Sequence, residues 1–157
     1  MNRKARSLIL SSTALVLATL SYHGVVHAEE PSELVFTVTT PLRDGAPVGK
    51  EMLVEGTAQL PVGHHLWVFA RRDDFEPLWW PQGEGKVVND KWRVLVHFGG
   101  AQDINYPFDL AVAAFTEDAH LKLETYRRKA MKTGDSRPID MPEAEAPQIF
   151  HVLKVSH

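Results

Sequence analysis

The sequence predicts an all-β domain, built as two packed sheets or a closed barrel, with one helix near its C-terminal end. Three observations carry this. Residues 91–98, KWRVLVHF, alternate strictly, with Trp92, Val94, Val96 and Phe98 on one side and Lys91, Arg93, Leu95 and His97 on the other. That period of two marks a strand with one buried face. HLWVFAR (65–71) and PFDLAVAAF (107–115) are apolar on both sides through their middles, as strands covered on both faces are. A single stretch, 116–134, switches to helical spacing.

The N-terminus reads differently from the rest. Arg3, Lys4 and Arg6 precede an apolar run over residues 8–20, and Val26 and Ala28 occupy the −3 and −1 positions of a small-residue cleavage site. Basic, then apolar, then small is the order of a secretory signal peptide. The apolar run is short of the about 20 residues a membrane span needs. We therefore read residues 1–28 as a signal peptide and 29–157 as one domain, placed in the periplasm or secreted, with no integral span after cleavage. The chain has no cysteine, and a domain of this length builds a core without disulfides. Net charge is −3, and loss of the three N-terminal cations makes the remainder more acidic. The one basic cluster, YRRKAMK (126–132), sits at a helix end, so neither nucleic acid nor an anionic membrane is the expected partner.

The elements follow in order. ELVFTVTT (33–40) sets Leu34, Phe36 and Val38 against Val35, Thr37 and Thr39; RDGAPVG (43–49) is turn chemistry around Gly45; EMLVEGTAQL (51–60) is a strand broken by PVG (61–63). HLWVFAR is a central strand, and residues 73–92 form a hairpin that turns at QGEG (82–85). KWRVLVHF is the next strand, GGAQDINY (99–106) a loop, and PFDLAVAAF a second central strand. The helix, about 117–131, has Thr116 as N-cap, Glu117 and Asp118 in its first turn, and Gly134 just beyond its end. Ala119, Leu123, Tyr126 and Ala130 form its apolar stripe, and Glu124 and Arg128 are spaced to pair. An acidic, proline-bearing linker (about 133–147) leads to a last strand, about 148–155.

The segment DDFEPLWWPQGEG (73–85) offers the candidate binding residues. Pro77 and Pro81 bracket its double tryptophan, and proline cannot donate to a ladder, so an edge strand is the natural place for it. Neighbouring side chains in a strand point oppositely. Leu78 and Trp80 are expected inside with Trp67 and Trp92, leaving Trp79 outside, where it covers the edge over Arg71 or Arg72 or meets a partner. The candidate binding set is Trp79, Trp80, Gln82, Phe75 and Arg71, with stacking on a sugar beside Phe75 or Tyr106 as a further use.

Histidines are the remaining chemistry. Among the histidines of residues 29–157, neither His-x-His nor an i, i+4 pair occurs. His64 and His65 are neighbours whose rings diverge, and His97 and His151 lie on different strands. A metal reading would join His64 or His65 with His97 or His151. No Gly-x-Ser-x-Gly elbow, phosphate loop or His-Glu-x-x-His occurs, and the acid pairs fit turns, the helix start and the linker. The expectation is a protein that is not an enzyme and uses no cofactor.

From about residue 52 to 115 the chain resembles bacterial immunoglobulin-like accessory domains of exported proteins. The matching residues are Gly56 and Ala58; Leu60-Pro61 with Gly63; Leu66-Trp67-Val68; Pro81-Gln82; Trp92, Val94 and Val96; and Phe108-Asp109-Leu110. The resemblance implies an immunoglobulin-like β-sandwich with the helix added, and no catalytic residues. The expected function is an exported, non-catalytic binding or accessory protein that contacts another envelope protein. A small periplasmic metal-binding protein and a carbohydrate-binding module are the alternatives.

Overall fold

The computed structural model describes residues 32–41 and 43–156; the expected signal peptide (1–28), residues 29–31, Leu42 and His157 lie outside the described residues. The described residues form a β-sandwich of eight strands, β1 (Val35–Thr40), β2 (Ala46–Val48), β3 (Glu51–Gln59), β4 (His64–Arg72), β5 (Trp80–Glu84), β6 (Lys91–His97), β7 (Pro107–Thr116) and β8 (Glu145–Lys154), with one α-helix, α1 (Glu117–Thr133), between the last two. One sheet runs β1-β3-β6 and the other β2-β8-β7-β4-β5. All pairings are antiparallel except β2 with β8. No described helix is long and apolar enough to cross a membrane.

The two faces of the five-stranded sheet are both covered. Between the sheets lies a core of Phe36, Val54, Leu66, Val68, Trp92, Val94, Val96, Phe98, Leu110 and Val112. On the opposite face, α1 covers a second core of Trp67, Phe69, Trp79, Ala111, Ala113, Phe115, Ala119 and Leu123. This is why β4 is apolar on both sides from Leu66 to Ala70 and β7 from Phe108 to Phe115, apart from Asp109. In β6, covered on one side only, the alternation expected from the sequence holds residue by residue.

Gly56 and Trp92 lock β3 to the sandwich core. The two stand opposite each other in the β3–β6 register. A Cβ at Gly56 would overlap the Thr37 carbonyl and sit 2.7 Å from Trp92 Cζ2, so only glycine lets the indole lie flat on the strand.

Several expectations need correction. The reversal expected at QGEG is instead a crossing between sheets: β5 pairs back with β4, while β6 pairs with β3. The tight turn lies later, where Val88 and Lys91 exchange backbone hydrogen bonds around Asn89 and Asp90 at φ 52° and 60°. Both central residues are left-handed, as a primed hairpin turn requires. Residues 46–48, expected as turn, form β2, and β8 begins at Glu145, three residues earlier than expected. Arg127, rather than Arg128, meets Glu124 (3.5 Å), and Arg128 donates to Thr125 Oγ1. The helix itself ends as expected, with Gly134 left-handed at φ 72° and donating to the Ala130 carbonyl.

The tryptophan assignment is inverted. Trp79 is buried at 6% exposure, while Trp80 and Leu78 are half-buried. Alternation holds, but the face expected to meet solvent is the one α1 covers. The backbone of Trp79 also exchanges two hydrogen bonds with Ile139 of the acidic linker, tying that segment over the second core.

Two expected outcomes follow. Gly56→Ala lowers the urea midpoint of unfolding by the equivalent of about 1–3 kcal/mol, the usual cost of overpacking. Trp79→Ala costs about 3–5 kcal/mol in the same measurement, as a large-to-small change in a core does, and clearly more than Trp80→Ala.

Candidate functional site

The end of β4, the turn after it and the C-terminal half of α1 enclose a cleft of about 750 Å³. Arg71, Phe75, Trp80 and Gln82, four of the five candidate binding residues, line it together with Tyr126 and Met131. Trp79, the fifth, lies beneath in the second core, with the Arg71 guanidinium 4.3 Å above its ring centroid. The Arg71–Trp79 stack expected from the sequence therefore exists, but from the inside.

The charges of the cleft are paired within the chain. Arg71 donates to the buried carboxylate of Asp109 (2.7 and 2.8 Å), which also meets His151 Nδ1 at 2.6 Å. Arg72 bridges Asp74 (2.6 and 2.7 Å) and Asp103 (2.5 Å) and lies over Phe75 and Tyr106 at 4.9 and 4.5 Å. The hydrogen bond to Asp74, opposed by burial and helped by Asp103, raises the Arg72 pKa further above its ordinary value, and the same bond lowers that of Asp74.

Three uncharged polar side chains are engaged too. Gln82 donates to the Trp80 carbonyl and accepts from His97 N–H. Trp80 Nε1–H donates to Ser136 O at 2.9 Å, and the Tyr126 hydroxyl donates to Arg137 O at 2.7 Å. Burial, then the Asp135 carboxylate, raises the Tyr126 pKa above its ordinary 10 and keeps that hydroxyl a neutral donor. Most of what the cleft offers is ring faces and aliphatic surface: Phe75 edge-on to Trp80 at 5.0 Å, and Met131 exposed on the rim.

The four histidines considered as ligands do not converge. His97 lies in the three-stranded sheet beside Glu51 (3.1 Å), His151 in the other beside Asp109, and His64 turns to Glu145 (3.4 Å). Only His65 enters a cluster, and its companions are residues the metal reading left out. At the other end of β4, about 20 Å from Arg71 at ~3.3 Å per residue, His65 Nδ1 lies 3.0 Å from Glu84 Oε1, and His65 Nε2 lies 2.7 Å from Glu117 Oε2. The His120 ring stacks on it, centroids 3.6 Å apart and 8° from parallel, and accepts the indole N–H of Trp67 at Nδ1 (3.1 Å). One sequence signal was available: His65, Trp67 and Phe69 share a strand face, and Glu117 and His120 share the first turn of the helix that covers it.

Burial disfavours the charged form of His65, but hydrogen bonds and charge from Glu84 and Glu117 outweigh it and raise the pKa above the ordinary 6.5. No protein-family model matches the chain, and no curated protein matches it.

Because the folded pKa lies above the unfolded one, the His65 contribution to stability is complete below pH 6.5 and is lost as pH rises through the folded value. The urea midpoint is therefore expected to fall between about pH 6 and pH 9 by more in the wild type than in His65→Gln. Parallel profiles would refute the ion-pair account.

Proposed function

We propose that this protein is an exported, non-catalytic binding module of the immunoglobulin-like class, which contacts another envelope protein through the cleft around Trp80. One observation carries the reading: Arg71, Arg72, Trp80, Gln82 and Tyr126 already bond their polar groups within the chain, so aromatic and apolar surface is most of what these residues offer. Trp, Tyr and Arg dominate protein–protein hot spots, and Met is enriched at interfaces. A sugar site would need unpaired polar groups beside the ring to fix orientation, and both ends of the Gln82 amide are in use.

The class assignment draws support from strand order. Lettered along the chain with α1 placed between F and G, the sheets read A-B-E and A′-G-F-C-C′, which follows the immunoglobulin plan. Export rests on the basic, apolar and small-residue order of residues 1–28.

A photo-crosslinking amino acid at Met131, on the cleft rim, is expected to capture a discrete envelope protein in cells. The adduct should disappear in Trp80→Ala, and the same amino acid at Val62, at the far end, should not form it. Equal capture from both positions, or an adduct indifferent to Trp80→Ala, would overturn the proposal. Trp80-dependent binding on a glycan array would replace it with the carbohydrate reading.

A further inference from the structure

We propose that His65, Glu84 and His120 form a binding site for one divalent late-transition ion, of the Zn²⁺ or Cu²⁺ kind. The site goes beyond the protein-binding reading and does not depend on it. It draws on three elements: His65 from the start of β4, Glu84 from the end of β5, and His120 from the first turn of α1. One ligand atom from each lies within 4.8 Å of the other two.

The donor set selects the ion. Two imidazoles and a carboxylate suit Zn²⁺ and Cu²⁺, whereas Mg²⁺ and Ca²⁺ prefer oxygen alone. Three protein ligands of the His₂Glu type leave one position of a tetrahedral ion for water or a further ligand. That position has room, because His65 and Glu84 line a hollow of about 580 Å³ that also takes in Pro61, His64 and Lys86.

Glu117 is the positioning residue. With Glu84 sharing the ion with His65 Nδ1, the Nε2–H of His65 donates to Glu117 Oε2, now 2.7 Å away. A carboxylate on the outer nitrogen of a metal-bound histidine fixes the ring and strengthens it as a ligand. The carboxylates of Glu84 and Glu117 balance the two charges of the ion and offset the positive end of the helix dipole. Binding at Nδ1 displaces the proton that this nitrogen carries in the imidazolium, while Nε2 keeps its own for Glu117.

Isothermal titration calorimetry of the purified chain with ZnCl₂ and CuCl₂ tests this. The expected result is one ion per chain, with proton release visible as a buffer-dependent enthalpy. Affinity should fall at least about tenfold in His120→Gln, Glu84→Gln and Glu117→Gln, in line with losses seen at metal shells, and stay unchanged in His97→Ala. Bound Cu²⁺ should also quench Trp67, whose indole touches His120; Trp67→Phe should remove most of that signal. Far-UV circular dichroism separates loss of a ligand from loss of α1. Failure to saturate at one equivalent, or an isotherm that folded His120→Gln and Glu84→Gln leave unaltered, would overturn the proposal.

Discussion

Burial of the five-stranded sheet on both faces is the constraint from which the rest of the molecule follows. β4 and β7 carry large apolar side chains on both sides, and neither side can be left to water at about 1.5–3 kcal/mol per buried large side chain. The three-stranded sheet covers one face. The other is covered by α1, inserted between β7 and β8, and by the linker that returns from it under the Trp79–Ile139 backbone pair. The helix is thus a lid for the second core, which is why its exposed side is highly charged and its buried side needs only Ala119 and Leu123 at full depth.

Both candidate sites are consequences of that lid. Where the C-terminal half of α1 meets the edge strand β5, the cleft around Trp80 opens. Where its first turn meets β4 and β5, Glu117 and His120 are brought onto His65 and Glu84. Electrostatics differ between the two ends. Around the cleft, fixed cations meet carboxylates and close off the polar groups, with Asp109 and Asp103 buried under Arg71 and Arg72. In the histidine cluster two carboxylates face titratable rings, so the charge state there is set by protons, or by an ion in their place.

Much of the fold was legible in the sequence. The Trp92–Phe98 alternation reports one-sided burial directly, and Thr116, Glu117, Asp118 and Gly134 mark the helix ends by backbone and dipole chemistry. The tryptophan pair was legible only as an alternation. Period two says that Trp79 and Trp80 face oppositely, but not which face a distant helix will cover. The binding candidates Arg71, Phe75, Trp80 and Gln82 were legible because they cluster in one stretch of chain, whereas Tyr126 and Met131 reach the same cleft from α1.

The sequence by itself determined where the long strands lie, which segment is helical and that it stops at Gly134, and that the central strands are covered twice. These are local properties, written in side-chain period and backbone preference over a few neighbouring residues. Only the tertiary structure decided that Trp79 is the buried indole, that His97 and His151 part into different sheets, and that His65 meets His120 across 55 residues of chain. Register between strands and the seat of a helix on a sheet depend on how whole surfaces fit together, and no local pattern encodes that.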